Sequence, residues 1–253
     1  MRLMNTHWDT SSVCSRFEAY GDLPEELLGY RWLLQTLKPY QGKDQIILDY
    51  GCGPGKVAMR LAQRGNHRIL AVDNSSAMLE IARRNRAHHA IDYRLIENGL
   101  PFLDHGSISA AFACFVFINI ESDKQIASIM REIYRVLRID APFLIVDTNP
   151  RSTGIEFSTF RNGERRRYEY GEEKIEVLHL PSGEDLVLHD YYWPTEMYRR
   201  LLRKAGFKRI EQWEPTLQEI PESELHSFTT QHGPIDWKGE WNHAPFLLFH
   251  AQK

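Results

Sequence analysis

The chain is organised around residues 46–55, which run Ile46-Ile47-Leu48-Asp49-Tyr50-Gly51-Cys52-Gly53-Pro54-Gly55. The short apolar run predicts a buried parallel strand, and the glycines after it predict a tight turn into a helix. Because glycine has no Cβ, a ligand can lie against the main chain of such a turn, beside the N-terminus of the next helix. The segment therefore predicts a nucleotide-binding turn; the alternative is an ordinary strand-to-helix turn without a ligand.

The spacing of the glycines discriminates between nucleotide-binding motifs. A dinucleotide fingerprint would need a third glycine at position 56, where the chain has Lys56. A phosphate-binding loop would need glycine at position 50 and serine or threonine at position 57, where the chain has Tyr50 and Val57. The pattern that remains, Asp49-x-Gly51-x-Gly53-x-Gly55, resembles motif I of the class I S-adenosylmethionine-dependent methyltransferases.

The order of the predicted elements indicates the fold class. Strands and helices alternate from residue 46 to residue 150, as is typical of a doubly wound parallel sheet. We predict strands at 46–50, 68–73, 92–96, 109–117, 142–147, 207–213 and 245–251, and helices at 23–37, 57–63, 77–86, 123–137 and 194–205. Ser75 is the predicted N-cap of the helix at 77–86, and Gly206 the predicted end of the helix at 194–205. Three further strand-like segments, at 165–170, 174–180 and 186–192, predict an antiparallel insertion.

The resemblance to the methyltransferase family covers most of these elements. It implies an α/β fold with a Rossmann-like, doubly wound, seven-stranded, mainly parallel sheet, helices on both faces, and an antiparallel last strand. It also implies a single methyltransferase domain over residues 1–253, with an N-terminal helical lid at 1–40 and a β-cap insertion at 151–193. Residues 1–15 show no clear periodicity, and residues 214–242 are mostly polar.

Composition and charge restrict the class of protein. A chain of 253 residues can bury a full core as one domain. With 31 Lys plus Arg against 34 Asp plus Glu, the net charge is -3, which does not favour a nucleic-acid partner and favours a small or nearly neutral substrate. The chain has no run of 18 apolar residues, and its first ten residues lack the apolar core of a signal peptide, so we expect a cytoplasmic protein without a membrane partner.

The cysteines give no sign of a disulfide framework or a metal site. Cys14, Cys52 and Cys114 are odd in number and far apart in sequence. Neither paired disulfides nor zinc ligands show this arrangement. We therefore predict three free thiols and no bound metal.

The second predicted strand ends on a candidate cofactor ligand. Asp73 lies 24 positions after Asp49, where a doubly wound nucleotide site places a carboxylate to accept bonds from both ribose hydroxyls. The alternative role is a cap on the next helix. Residues 73–79 also resemble the D-x-S-x-x-M-L segment of the family, which implies cofactor contacts by Asp73 and Asn74 and places Met78 against the adenine. The alternative for Met78 is ordinary core packing.

Residues 97–102 resemble the third motif of the family, D-x-x-x-L-P-F, in which the acid or its neighbour reaches the adenine amino group. Here the acid is one position closer to the proline, so the implied contact is divided between Glu97 and Asn98, and a plain turn is the alternative. Phe115 ends the fourth predicted strand, at the rim where backbone groups would face a ligand, unless it is core.

The resemblance implies two further cofactor contacts near the N-terminus. Tyr20 falls where the family has a lid tyrosine, and Arg31 where it has an arginine that binds the methionyl carboxylate. An arginine fork suits a carboxylate. The alternatives are a packing tyrosine and a solvated arginine.

The insertion carries the candidate catalytic residues. If the methyl acceptor must lose a proton, a base near neutral pKa helps, and His189 is the first candidate, with Tyr168, Asp190 and Tyr192 as alternatives. Strand alternation puts His189 on one face and Asp190 and Tyr192 on the other, so only one face can line the pocket. The alternative for His189 is a surface histidine.

The resemblance implies a function. We expect transfer of a methyl group from S-adenosylmethionine to a nitrogen, oxygen or carbon nucleophile of a small molecule. The β-cap and the acidic balance favour secondary-metabolite biosynthesis over a tRNA or protein acceptor. The alternatives of another class are a non-catalytic cofactor-binding protein and a nicotinamide-dependent oxidoreductase, both weakened by the glycine spacing.

Overall fold

A computed structural model describes residues 6–97 and 99–253. The strands are β1 Ile46–Tyr50, β2 Arg68–Asp73, β3 Ile91–Leu95, β4 Ala110–Cys114, β5 Pro142–Thr148, β6 Phe160–Asn162, β7 Glu173–His179, β8 Asp185–Tyr191, β9 Lys208–Trp213 and β10 Phe246–Gln252. The helices are α1 Ser11–Ala19, α2 Leu23–Glu25, α3 Arg31–Leu37, α4 Lys56–Ala62, α5 Ser76–Asn85, α6 Asp123–Val136, α7 Thr195–Ala205 and α8 Glu222–His232.

Seven strands form one sheet in the order β3-β2-β1-β4-β5-β10-β9. The first five strands along the chain pair in parallel, and β10 runs antiparallel to both β5 and β9. The chain starts at β1, builds outward to β3, then returns beside β1 with β4. This reversal leaves a crevice at the carboxyl ends of β1 and β4, where ligands of doubly wound proteins bind. The predicted fold class is confirmed.

Both faces of the sheet are covered because neighbouring residues of a buried strand point in opposite directions. Ile47 of β1 packs in a core with Leu33 of α3 and Leu61 of α4. Leu48, the next residue, packs in a second core with Met130 of α6 and Leu201 of α7. The short apolar run in the sequence therefore marks a strand buried on both faces, which a parallel sheet requires.

A second, three-stranded antiparallel sheet has the order β6-β7-β8. The insertion is as predicted, but its first strand is not. The predicted strand at 165–170 is wrong, because the chain turns at Gly163 (φ 72°) and the side chains of 165–167 are exposed. The strand that pairs with β7 is β6, which places Phe160 opposite Leu178.

Three other boundaries differ from the prediction. β4 ends at Cys114 rather than at 117, because Phe115 has a positive φ of 56° and a 3-10 turn, Phe117–Asn119, follows. The predicted helix at 23–37 is α2 and α3 joined through a π-helical turn, Glu26–Tyr30. Two helices were not predicted individually: α1 lies within the predicted N-terminal helical lid, and α8 lies in the polar stretch at 214–242. Their buried residues are Cys14 and Phe228, so neither helix carries a readable apolar stripe.

Two smaller predictions are confirmed. Ser75 caps α5, since its side chain accepts a hydrogen bond of 3.1 Å from the Met78 backbone N–H. The three cysteines are free. Within the part of the chain that the structure describes, no helix is long and apolar enough to cross a membrane.

Candidate active site

The turn after β1 needs its glycines. Gly51, Gly53 and Gly55 have positive φ angles of 74°, 50° and 79°. A Cβ on Gly51 would lie 2.4 Å from Val116 Cγ2, and one on Gly55 would lie 2.5 Å from the Tyr93 hydroxyl. A Cβ on Gly53 would meet nothing within 4 Å. The outer glycines therefore permit close packing, and Gly53 leaves its main chain open to a ligand.

Asp73 fastens the glycine turn to the start of α5. One carboxylate oxygen accepts a hydrogen bond from the Gly53 N–H at 2.7 Å, and the other accepts from the Ser75 N–H at 2.8 Å. The Asn74 backbone N–H also interacts with this carboxylate, which keeps some acceptor capacity because a carboxylate has about four acceptor sites. The carboxylate is thus held rigidly with acceptor capacity to spare, as a group that binds two hydroxyls should be.

Asp49 at the end of β1 is buried and incompletely bonded. Its Oδ2 finds no hydrogen-bond partner among the residues that the structure describes. Burial, with the nearby Asp73 charge, raises the pKa of Asp49 well above its ordinary range. A buried acceptor without a partner costs free energy, so this oxygen is poised for a ligand that donates a hydrogen bond or carries positive charge.

A cavity of about 810 Å³ lies at this edge of the sheet. Its walls come from the glycine turn, the ends of β2 and β4, the N-terminal segment before β1, the start of α6, and the inserted sheet. Pockets of this volume hold a cofactor-sized or drug-sized ligand. The carboxyl ends of β1, β2 and β4, with the glycine turn, form the edge predicted to bind the cofactor, which we call the nucleotide edge. The cavity joins this edge to the inserted sheet in one space.

The cavity is strongly acidic. Nine of the described residues that line it carry a carboxyl group, and one carries a basic side chain, Lys56. The nine are Asp22, Glu25, Asp49, Asp73, Glu97, Glu121, Glu132, Glu176 and Asp190. Burial raises the pKa of Glu25, Asp49 and Glu176, and the carboxyl groups that stay ionised give the cavity a lining that favours cations over phosphates.

Four more of the predicted cofactor residues, Asn74, Met78, Glu97 and Phe115, line the cavity. Met78 is buried and lines the cavity, as do the exposed side chains of Asn74 and Glu97. Asn98 lies outside the described residues. Phe115 also lines the cavity, and its left-handed backbone (φ 56°) is a conformation that costs a non-glycine residue free energy and is concentrated at functional sites.

The N-terminal segment closes one side of the cavity. Trp8, Phe17 and Tyr20 line it. Trp8 is held at both ends, because its indole N–H donates to Asn119 at 3.0 Å and its carbonyl accepts from the Ser75 hydroxyl at 2.7 Å. The Lys56 ammonium donates to the Tyr20 carbonyl at 2.7 Å, just beyond the C-terminus of α1. The side chains that follow β1 and β2 thus hold the N-terminal segment in place.

Three buried carboxyl groups line the cavity from elements other than β1, β2 and β4, and we call Glu25, Glu176 and Asp190 the acidic wall. The Tyr20 hydroxyl donates to Glu25 Oε1 at 2.7 Å, whereas Glu25 Oε2 has no hydrogen-bond partner among the described residues. Burial, with the charge of Asp22, raises the pKa of Glu25 to about 8. Glu25 is therefore largely protonated at neutral pH.

The other two members come from the inserted sheet. The β7–β8 register places Lys174 opposite Asp190 and Glu176 opposite Leu188, so these four side chains share one face. Lys174 Nζ lies 3.6 Å from Asp190 Oδ2 and 3.9 Å from Glu176 Oε2. Burial raises the pKa of Glu176 well above its ordinary range; Lys174 opposes this effect and Asp190 adds to it.

Comparisons with known proteins identify the family. Residues 47–140 match the family described as "Methyltransferase domain". The chain is 35% identical over 225 residues to the N-demethylindolmycin N-methyltransferase of Streptomyces griseus, and the alignment covers 86% of this chain and 92% of that protein. The chain belongs to the S-adenosylmethionine-dependent methyltransferases.

Two further relatives agree with this assignment. This chain is also 32% identical over 204 residues to the uncharacterized methyltransferase YodH of Bacillus subtilis, and the alignment covers 79% of this chain and 74% of that protein. A putative S-adenosylmethionine-dependent methyltransferase from Listeria monocytogenes has the same fold, with a TM-score of 0.57, 22% identity, and coverage of 89% of this chain and 98% of that structure. S-adenosylmethionine is thus the cofactor, and the oxidoreductase and non-catalytic alternatives are set aside.

Arg31 of the methyltransferase does not lie where the resemblance placed it. It is not among the cavity-lining residues, and its guanidinium pairs with the Glu224 carboxylate of α8. A π-helical turn, Glu26–Tyr30, directly precedes Arg31. Arg31 thus connects α8 to the N-terminal helices.

His189, Tyr168 and Tyr192 are also absent from the cavity lining. The alternation of β8 turns Leu188 and Asp190 inward, so the expectation that His189 faces the pocket is wrong. The His189 backbone N–H donates to the Thr6 hydroxyl at 2.7 Å. Tyr168 and Tyr192 stack on each other with ring centroids 5.6 Å apart. Of the four catalytic candidates, Asp190 is the one that lines the cavity.

Several cavity residues were not anticipated from the sequence, among them Trp8, Lys56, Glu25 and Glu176. The sequence did contain a sign of Glu176. Strand alternation puts Lys174, Glu176 and Leu178 on one face of β7, so two charged side chains share a face with an apolar one. A charged pair on the inward face of a strand marks a polar site. Trp8 and Glu25 had no such signal, since they reach the cavity only through the path of the N-terminal segment.

Proposed function

We propose that the chain transfers a methyl group from S-adenosylmethionine to a nitrogen atom of a small molecule, in secondary-metabolite biosynthesis. The observation that carries the proposal is that the nucleotide edge and the inserted sheet line one cavity rich in carboxyl groups. The similarity to an N-methyltransferase of a small molecule supports nitrogen as the acceptor. The acidic lining supports a small acceptor over tRNA, whose phosphates it would repel.

We propose that the nucleotide edge holds the cofactor, which supplies a methyl group on a reactive sulfonium when bound. Asp73 would accept bonds from the ribose hydroxyls, and Met78 would lie against the adenine. The residues proposed to contact the cofactor are Tyr20, Asp49, Gly51, Gly53, Asp73, Asn74, Met78, Glu97 and Phe115. The residues present suit the cofactor, because Gly53 leaves an open cradle and the buried Asp49 oxygen suits a positively charged group.

We propose that residues 1–40 act as a lid and residues 151–193 as a cap of one domain that spans the chain. Trp8 and Tyr20 line the cavity from the N-terminal segment, and Leu188 and Asp190 line it from the inserted sheet. Closing the cavity from both sides excludes water and holds the acceptor in line with the methyl group, at about 3 to 3.5 Å from it. Placement by these two segments would supply most of the rate enhancement.

Two measurements test the proposed function. Calorimetry with S-adenosylmethionine, S-adenosylhomocysteine and NAD should show binding of the first two ligands. Incubation with cofactor carrying a deuterated methyl group and a panel of amines, amidines, phenols and carbon acids should then label a nitrogen acceptor, detected by mass spectrometry. Labelling confined to oxygen or carbon acceptors would contradict the proposal.

A further inference from the structure

The geometry points to the acidic wall as the binding site for a positively charged nitrogen group of the methyl acceptor, an amine or amidine protonated in water. Glu25, Glu176 and Asp190 would surround this group with carboxyl oxygens. The inference rests on the proposed methyl transfer to a small-molecule nitrogen, and it names the chemical class of that molecule.

The first observation is unused acceptor capacity. Asp190 is 1% exposed, and no backbone, hydroxyl or amide group among the described residues donates to its carboxylate oxygens; its polar neighbours are Lys174 Nζ, 3.6 Å away, and the carboxyl group of Glu176. Glu25 is 6% exposed, and its Oε2 has no hydrogen-bond partner among the described residues. Both side chains line the cavity. Buried oxygens without donors are costly, so a ligand that brings several N–H groups would gain free energy by satisfying them.

The second observation is a deficit of positive charge. Lys174 is the basic side chain paired with the acidic wall in the described structure, and its ammonium also donates to Asn162 Oδ1. Lys174 does not line the cavity, so the wall presents carboxyl groups to a ligand. Burial is the main cause of the raised pKa values of Glu25 and Glu176, and a neighbouring carboxyl group adds to it in each case. A cation would supply what the protein lacks, because an opposite charge favours the ionised carboxyl.

The third observation concerns the body of the ligand. Leu178 and Leu188 line the cavity beside the acidic wall, and Tyr30 and Phe115 line it nearby, with ring centroids 6.3 Å apart. Apolar and aromatic walls around a few polar groups suit an organic cation with a flat or apolar body. Phosphorylated or carboxylated acceptors would meet the acidic lining unfavourably.

The acceptor can become a nucleophile at this site. A bound ammonium or amidinium gives one N–H proton to the Asp190 carboxylate, which leaves a lone pair on a neutral nitrogen. That nitrogen forms a bond to the methyl carbon while the carbon–sulfur bond breaks and its electron pair stays on sulfur. The methylated nitrogen carries the positive charge that the sulfonium loses, so charge and electrons balance. Asp190 thus accepts the proton, the role first predicted for His189.

The test uses simple probes of matched shape, measured by calorimetry on the full chain saturated with S-adenosylhomocysteine. Benzamidine is a flat cation, benzamide is its neutral counterpart, and benzoate is the anion. We expect benzamidine to bind at least about tenfold more tightly than benzamide, the factor that about 1.4 kcal/mol supplies, and benzoate to bind more weakly than either.

Variants assign the preference to the acidic wall. Asp190→Asn and Glu176→Gln, made separately, should each reduce the preference for benzamidine over benzamide while S-adenosylhomocysteine binding is kept, which shows that the chain is folded. Asp185→Asn, at the exposed end of the same strand, is the matched control and should retain the preference. Equal binding of benzamidine and benzamide by the unmodified chain would overturn the inference. So would an undiminished preference for benzamidine over benzamide in both Asp190→Asn and Glu176→Gln.

The outcome is separable from that of the proposed function. Methylation of a nitrogen acceptor without any preference for cationic probes would leave the proposed function standing and overturn the acidic wall as a cation site. A clear cation preference without methylation of any nitrogen acceptor would support the cation site and overturn the proposed function. Probe binding is measured by calorimetry and methyl transfer by mass spectrometry, so the two results are independent.

Discussion

Asp73 shows how one side chain can build a site and remain available to a ligand. Its two oxygens hold the Gly53 and Ser75 backbone N–H groups. These bonds partly offset the burial that raises the pKa of Asp73. The residue therefore couples the glycine turn to α5, and it is the side chain on which we expect cofactor affinity to depend most.

Replacing Asp73 should weaken cofactor binding strongly. We expect Asp73→Ala to lose about 1 to 3 kcal/mol of binding free energy, because a charge-assisted bond to the ribose is removed. Titration calorimetry with S-adenosylhomocysteine measures the loss, and Asp92→Ala, at an exposed position of β3, is the control. Unchanged affinity in a folded Asp73→Ala variant would show that the ribose is held elsewhere.

Glu25 makes the stability of the chain depend on pH. Its pKa is about 8 in the folded chain, against an ordinary value of 4.5. Between these values the unfolded chain releases the proton and the folded chain retains it, so Glu25 makes the folded state progressively less stable as the pH rises from 4.5 towards 8. Below the lower value both states hold the proton and the effect vanishes.

Glu25→Gln should remove this dependence, because an amide does not ionise and its oxygen can still accept from Tyr20. We expect thermal melts to show the variant gaining stability over the unmodified chain at about pH 8 and gaining little at about pH 5. Glu80→Gln, on an exposed position of α5, controls for the change in net charge. A gain of equal size at both pH values would contradict the assigned pKa.

At the scale of the elements, the path of the N-terminal segment depends on a few polar contacts. Lys56, the first residue of α4, donates to the Tyr20 carbonyl, and its ammonium lies 5.7 Å from the centroid of the Phe17 ring. Positive charge is favourable at a helix C-terminus, and a cation over an aromatic face adds to it. Lys56 thus links α1 to the glycine turn that is proposed to bind the cofactor.

Lys56→Met should loosen this segment while the sheet stays folded. We expect the affinity for S-adenosylhomocysteine to fall about tenfold, roughly 1.4 kcal/mol, because closing the segment over the ligand then costs more. Trypsin should also cut faster after Arg16, at the exposed last turn of α1. Lys124→Met, at an exposed position of α6, serves as the control. If affinity falls without faster cleavage at Arg16, Lys56 acts on the ligand directly and not through α1.

At the scale of the whole molecule, the site lies where two sheets meet. The seven-stranded sheet supplies the nucleotide edge, and the three-stranded sheet supplies two of the three residues of the acidic wall, Glu176 and Asp190. The parallel part of the large sheet is buried on both faces by helices, so its position is fixed by extensive apolar packing. Glu176 and Asp190 of the small sheet line the same cavity as the ends of the large sheet, so one space could hold the two ligands of the proposed transfer.

Much of this arrangement was predictable because it depends on local signals. β2 has the predicted bounds, Ser75 caps α5 as predicted, and Gly206 ends α7 with a positive φ of 112°. Asp49, Asp73 and Met78 were singled out because the ends of parallel strands meet at one edge of a sheet. In each case the residues involved are close in sequence, or the topology itself brings them together.

The rest depended on contacts between residues far apart in sequence. The sequence by itself determined the fold class, the glycine turn and the cofactor family, because strand periodicity, glycine conformation and motif spacing are properties of short segments. Only the tertiary structure decided that Asp190 rather than His189 faces the cavity, since alternation defines two faces without saying which is inward. It also brought Glu25 from the N-terminal helices to Glu176 of the inserted sheet, a meeting set by packing across 151 positions of sequence.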